Sequence, residues 1–455
     1  MAQQTKSIRL ITATAFAVGA MIGGGVFVLT GDALKQTGPS ALLSFLIAGI
    51  IVLFSALSFA VIASEAPPKK PGYTYVGKVL GSPVWAFLTS WCFYLSGIIA
   101  AAFVLHAFGV YFHSFITPRI PTLVWALLGA VVLTFVNLGP ASEIGKVETL
   151  LVSGKLFVLL LLIFFGVMHF NSASLFPFSP QGTSHIFTTS AFLFIAFLGF
   201  NVITNISGDI DHPQKTVPRA ILLSMIIVTI VYAGVVIALL AAHISNYSEA
   251  SVGVAAQHLI GPIGGWLVVI GALVSTLSSA NANILGSSEV MVRLAAEKEV
   301  PTILGHMRNG HPYVSVLAGA GLYIILLLTR QTAVVINLAN VTAIVALVVV
   351  NIAAAKALAS RTHTGMRLPF GWLLPAMGAV GALMQFAFMP FESLVIGLAL
   401  SASGIIVYAL RRHYHIPKLH QENIAAIAKI ESPLVRALKQ SKKFYDVLLI
   451  ILPFV

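Results

Sequence analysis

Residues 17–31 read AVGAMIGGGVFVLTG, with Gly23, Gly24 and Gly25 at the centre of an apolar run. Each glycine inside a helix costs about 1 kcal/mol relative to alanine. The surrounding run, 8–30, is long enough to cross a bilayer, which takes roughly 20 apolar residues. Freed backbone groups are tolerated at that depth only where protein covers them or water reaches them. The triplet therefore has two readings. Either it lets neighbouring helices approach closely, or it unwinds the helix and bares amides to a ligand.

Composition names the solvent. Of 455 residues, 58% are hydrophobic and 9% charged, against about 25% charged in a soluble domain. So few charges cannot cover a water-facing surface, and the chain reads as an all-α integral membrane protein with the lipid bilayer as partner. The single cysteine, Cys92, excludes an intramolecular disulfide framework. MAQQTKSIRL leads straight into the first apolar run, so no cleavable signal is expected. The net charge of +12 calls for no nucleic acid, because cytoplasmic loops collect Lys and Arg.

The hydropathy pattern predicts twelve transmembrane helices, at 8–30, 41–63, 84–108, 121–139, 149–170, 187–208, 218–242, 262–288, 313–329, 333–353, 370–389 and 393–410. With the N-terminus inside, all but four of the 26 Lys and Arg fall on the inner side; Lys35, Arg119 and Arg330 lie outside and Lys155 lies within a span. Both termini are thus expected in the cytoplasm of a cell (plasma or inner) membrane. A basic tail, 411–455, closes the chain with YDVLLIILPFV, too short to span and expected at the interface or on the bundle.

A second interruption appears five spans after the first. Residues 191–208 read AFLFIAFLGFNVITNISG, with Gly199 at mid-span and polar Asn201, Thr204, Asn205 and Ser207 behind it. Two interrupted spans in corresponding halves point to a transporter built from inverted repeats. Five spans per repeat make a five-plus-five fold, about 8–170 and 187–353, with two extra C-terminal helices in 370–410. Half-helix N-termini and freed amides in such folds meet a carboxylate, while unwound carbonyls receive a cation. An α-amino acid carries both groups.

Three segments carry a resemblance to the amino acid–polyamine–organocation (APC) superfamily of permeases, especially its proton-coupled bacterial amino acid transporters. They are GAMIGGGVFVLTG, FLGFNVITNISGDIDHPQKTVPRAI and NANILGSSEVMVRLAAEKEVP. The resemblance covers about the first 400 residues and implies the five-plus-five fold of neurotransmitter-type symporters. It implies substrate carboxylate binding at Ile22, Gly23, Gly24 and Gly25. It places the amino group on carbonyls of Ile195, Ala196 and Leu198, with Phe194 and Phe197 as aromatic gate and wall. There are departures. Asn201 stands where many members have an acid, the paired acids become Gly208 and Asp209, Ile62 replaces a glutamate that reappears as Glu65, and the eighth-helix Ser-Arg is Ser288–Glu289. They leave the substrate-backbone chemistry untouched.

Lys155 lies about six residues into the fifth span, roughly 9 Å deep. Ionisable residues in a membrane are rare and usually functional, yet a lysine near a helix end also snorkels to the headgroups. In the functional reading, desolvation disfavours a buried ammonium, which lets it load and unload a proton. The resembling proton-coupled transporters carry a lysine at this point in place of a sodium ion. That implies a first-helix carbonyl, Gly19 or Ala20, and an eighth-helix hydroxyl, Ser278 or Ser279, as partners.

Other polar residues read more plainly. Trp91 and Tyr94 line the site or simply pack. Asn281 and Asn283 line a path or, the favoured reading, bond neighbouring helices. His106 and His113 read as interfacial. Asp209, Asp211, Lys215 and Arg219 form a gate latch or a solvated loop, and Glu289 and Arg293 are spaced to pair at i, i+4. No metal-ligand cluster, nucleophile–base pair or phosphate-cradling GxxxxGK[ST] loop stands out, so no cofactor, ATP-driven transport or enzymology is expected. The substrate spans offer no free carboxylate. A neutral amino acid is therefore favoured, apolar or small polar, with Asn201 or Asn205 reading a polar group. The expectation is a proton symporter working by alternating access. An ion-independent exchanger, and a non-transporting sensor or accessory subunit, stand as rivals.

Overall fold

The structure, a computed structural model, describes residues 8–65, 75–138, 144–204, 210–308, 311–360 and 365–428. No strand forms among them; Ile8 pairs with Ile210, and Arg308 with His311, as isolated bridges. The first expected span is two half-helices, α1 (Leu10–Met21) and α2 (Thr30–Thr37), joined through an extended Ile22 (φ −80°, ψ 91°) and a π-helical turn over Gly25–Leu29. Then come α3 (Ala41–Glu65), a short α4 (Tyr75–Leu80), α5 (Pro83–Phe115), α6 (Thr122–Leu138) and α7 (Ile144–His169). The second interrupted span begins as α8 (Ser184–Phe192) and loosens into 3-10 turns over Leu193–Phe197 and Phe200–Thr204, parted at Gly199. α9 (Pro213–Ala241), α10 (Ser251–Ile260), α11 (Pro262–Ala296), α12 (Tyr313–Leu328), α13 (Thr332–Ala359), α14 (Leu373–Gln385) and α15 (Phe391–Ala428) complete the chain.

Among the described residues, six helical stretches are long and apolar enough to cross a membrane: Gly25–Glu65, Pro83–Phe115, Pro213–Ala241, Pro262–Ala296, Thr332–Ala359 and Phe391–Leu410. Shorter apolar helices occupy the other segments where the sequence predicts spans, and Ser251–Ile260 is a helix where none was predicted. α5 and α11, with 33 and 35 residues, run about 50 Å at 1.5 Å per residue, well past the hydrocarbon, and so overshoot their predicted ends. Helical backbone continues to Ala428, beyond the predicted start of the tail; the run 445–455 lies outside the described residues.

Contacts divide the chain at Gly404 into residues 1–404 and 405–455. Within 1–404, two sets of helices emerge. α3 packs on α9, α8 and α14, and α1 on α9; α5 packs on α11 and α6, and α13 packs on α5 as well as on α14 and α3. One end of the helices gathers Ser64, Glu65, Lys78, Lys215 and Arg219. The opposite end carries the pair His106–Glu249. The two interrupted spans meet between the sets, where Val26, Phe27, Val28, Phe194 and Phe197 are all fully buried.

Candidate functional site

Close approach explains the first break. A methyl group on Gly23 would lie 2.3 Å from Ser279 Oγ and 2.5 Å from its Cβ, on α11. One on Gly25 would lie 3.2 Å from the Ala196 backbone. The amide of Ile22 still reaches Val18 O at 2.8 Å, and that of Gly23 returns to Met21 O at 3.1 Å. Gly24 and Gly25 then open the outer half-helix, where the first amides have no carbonyl behind them within the helix. A carboxylate suits that position on charge as well, because the helix dipole is positive there.

Gly199 explains the second. Its φ of +113° is a conformation that side chains disfavour, and a Cβ there would meet Ala20 C and O at 3.1 Å. The two breaks therefore touch. Around Gly199, Ile195 O accepts from Leu198 N at 3.1 Å, and Ala196 O accepts from the Tyr232 hydroxyl at 2.7 Å. A carbonyl oxygen has two lone pairs, so each of these retains one for a ligand's amino group.

The carbonyls freed at the first break are held from outside. Lys155 of α7, only 2% exposed, donates from Nζ to Gly19 O at 2.7 Å and to Ile22 O at 2.8 Å. Ser275 Oγ also donates to Ile22 O, at 2.9 Å. Ser279 Oγ reaches Ala20 O at 3.4 Å. Of the carbonyls named from sequence, Gly19 O lies on Lys155 Nζ, and Ala20 O is reached by Ser279. Ile22, expected only on the carboxylate turn, contributes its carbonyl to Lys155 and Ser275. Ser278 is buried on the same helix.

Sequence reasoning missed Tyr232 and Ser275. The Tyr232 hydroxyl, fully buried on α9, lies 3.1 Å from Met21 O and 2.7 Å from Ala196 O, one carbonyl from each break. Its ring packs edge-on against Phe197 and beside Phe45. A lone tyrosine in VTIVYAGVV gives no signal of this. Ser275 sits one helical turn before Ser279, and that i, i+4 spacing was the available clue.

Toward the Arg219 end the site opens into a cavity of about 50 Å³ lined by Ser96, Gly97, Asn201, Asn283 and Ser287 among others. That is room for a few waters. Asn283 Nδ2 donates to Ser279 O, and Asn281 Oδ1 accepts from Asn137 Nδ2 at 2.7 Å, so the two asparagines divide between lining and helix bonding. Trp91 bonds Leu400 O and Ser403 Oγ and stacks on Phe87, away from the cavity. His106 pairs with Glu249 at 3.2 Å, His113 bonds Ile120 O, and Arg293 reaches Glu289 at 3.7 Å. Lys215 and Arg219 are exposed and Asp211 is solvated, while Asn205, Ser207, Gly208 and Asp209 lie outside the described residues.

Two apolar helices broken at one buried crossing, one offering half-helix amides and the other carbonyls with a lone pair to spare, have the form expected of a membrane transporter's binding centre. Comparison with known sequences narrows this. The chain belongs to the amino acid permease family of the APC superfamily, whose model matches residues 12–389. It is similar to the Bacillus subtilis branched-chain amino acid permease BcaP, 30% identical over 66% of this chain and 70% of the relative. It is also similar to the serine/threonine exchanger SteT of the same organism, 30% identical over 65% and 69%. The Escherichia coli inner membrane transport protein YbaT is 29% identical over 66% and 71%. Members of the family are transporters rather than enzymes, so this is a multi-pass membrane protein with an amino acid substrate.

Proposed function

We propose that the protein imports a neutral amino acid together with a proton, by alternating access around the crossing of the two breaks. In this reading twelve spans cross a cell membrane as two inverted five-helix repeats plus two further helices, with both termini and the Arg219 end cytoplasmic. The substrate carboxylate sits on the amides of Gly24 and Gly25, with Ile22 and Gly23 shaping the turn. Its amino group meets the carbonyls of Ile195, Ala196 and Leu198, walled by Phe194 and Phe197. Asn201 reads a polar side chain from the cavity.

Lys155 carries the reading. A buried ammonium bonded to Gly19 O and Ile22 O ties the inner half of the first helix to α7. Ser275 and Ser279 tie the same stretch to α11. Protonated, the lysine closes that half-helix on its neighbours. Deprotonated, it donates fewer and weaker bonds, because charge-assisted bonds are roughly twice as strong as neutral ones. The half-helix is then free to swing and release substrate. An ion-independent exchanger is the second reading, favoured by the similarity to a serine/threonine exchanger; there Lys155 keeps its proton throughout.

Uptake of a panel of labelled amino acids into proteoliposomes, with and without an inward proton gradient, decides between them. Accumulation above equilibrium only with the gradient supports symport. Uptake that ignores the gradient and needs amino acid inside supports exchange.

A further inference from the structure

We propose that Asn340 is a positioning residue: a neutral latch that holds the outer half of the second broken helix, α8, against α13 and releases it when the site opens toward the His106 end. The inference rests on the alternating-access reading above and adds a residue that no resemblance supplied.

The geometry is specific. Asn340 is fully buried on α13, and its Nδ2 donates to Ala191 O at 3.0 Å and Phe192 O at 3.2 Å. These are the last carbonyls of α8 before the chain loosens into the 3-10 turn. Ala191 O also accepts from the backbone amide of Leu193, so Asn340 adds to the end of α8 a second tie that comes from another helix. Asn340 supplies both hydrogens of one amide to the two carbonyls.

The remaining polar contacts of α8 lead mostly elsewhere. Ser44 of α3 donates to Ile186 O at 2.9 Å, and Thr189 reaches Gln36 of α2 at 3.3 Å. Both partners lie on elements packed with the interrupted helices themselves. Gln385 of α14 reaches Ser190 at 3.4 Å, close to the limit for a hydrogen bond. Asn340 is thus the short polar tie from α8 to α13.

Burial makes the tie costly. The Oδ1 of Asn340 has no hydrogen-bond partner among the described residues. A dry, unpaired acceptor carries a desolvation penalty that leucine at the same place would avoid. The asparagine therefore costs stability at a place where leucine would not.

The placement also mirrors Lys155. In the five-plus-five arrangement α7 corresponds to α13, and the first broken helix to the second. Lys155 takes carbonyls of the inner half of one, and Asn340 takes carbonyls of the outer half of the other. The two latches differ in kind. An ammonium titrates and an amide does not, so the α8 latch yields to displacement of the helix and not to loss of a proton.

Labelling of Ala107→Cys tests this. Ala107 is fully buried and faces Gly24, where a methyl group would lie 3.1 Å from its Cβ, so opening toward the His106 end uncovers it. A membrane-impermeant maleimide is applied outside intact cells. Asn340→Leu is expected to raise the labelling rate about tenfold, from the loss of two amide bonds, while buried Cys92 stays unlabelled. Asn340→Asp keeps the size and turns acceptors toward both carbonyls; it should raise the rate as much, and it carries the test if the leucine variant fails to reach the membrane. Unchanged labelling in the folded variant overturns the latch. A parallel rise at Cys92 also overturns it, because the asparagine then only holds the fold together. Labelling needs neither substrate nor gradient, so a failure of symport leaves this result standing.

Discussion

The two breaks solve one problem with different chemistry. At the first, carbonyls of Gly19 and Ile22 take a cation on a long flexible stem, Lys155, beside the neutral hydroxyls of Ser275, Ser279 and Tyr232. At the second, carbonyls of Ala191, Phe192 and Ala196 are held by a neutral amide and a phenol, Asn340 and Tyr232. A titratable holder lets a proton control its half-helix. Neutral holders respond only to geometry. On the proposed symport reading, the difference puts proton sensitivity on the α1 side and mechanical gating on the α8 side of one site.

Removing the cation is the most damaging way to test that division. Lys155→Ala is expected to abolish gradient-driven accumulation, a loss of at least about a hundredfold, since charged hydrogen bonds contribute about 1.5–3 kcal/mol each and two are lost. Substrate counterflow, which needs no net proton movement, should survive in part. Uptake in proteoliposomes under an imposed pH gradient checks both, and accumulation unchanged in the variant would break the comparison at its strongest point.

Next in size is the contact between the breaks and α11. Gly23→Ala places a methyl group within 2.5 Å of the Ser279 side chain, far inside van der Waals contact, and should cut transport more than about tenfold; overpacking of a tight interior costs about 1–3 kcal/mol. Ser279→Gly in the same chain removes both clashing atoms and should restore much of the loss. Failure of that rescue would mean the glycine matters for backbone freedom and not for close approach.

What was readable in the sequence follows the range of the interactions. Local effects show in sequence: the glycine triplet, Gly199 five spans later, and the pairing of Glu289 with Arg293 across one helical turn. Lys155 was conspicuous because a charge inside an apolar run is rare. Its second acceptor, Ile22 O, was not foreseen, because which carbonyl turns outward depends on how sharply the chain bends at one residue. Tyr232 and Asn340 were invisible for a related reason. Each is a single polar side chain in an apolar helix, and its partners lie 36 or more positions away. The helix Ser251–Ile260 was missed because it is amphipathic and short, and so falls below the length a span requires.

Tyr232→Phe sharpens the α8 half of the comparison. The hydroxyl has one proton for two carbonyls, Met21 O and Ala196 O, so its removal costs about one hydrogen bond, 0.5–1.5 kcal/mol. The expected result is a KM raised about two- to tenfold with proton dependence intact. A changed pH profile would give the phenol a share of the proton role assigned to Lys155 alone.

The smallest effect is expected at the far end. His106 and Glu249 pair at 3.2 Å with side chains 23% and 32% exposed, and partly solvated ion pairs contribute about 0–1 kcal/mol. His106→Gln keeps a hydrogen-bond donor for Glu249 and removes the ring's ability to carry charge. Uptake should stay within about fivefold of the parent, the most that about 1 kcal/mol allows. Initial rates measured beside the Tyr232→Phe variant give the comparison directly. A His106→Gln effect larger than that of Tyr232→Phe would place a third controlling contact outside both breaks, and the division between a proton-held and a geometry-held half-helix would no longer account for how the site opens.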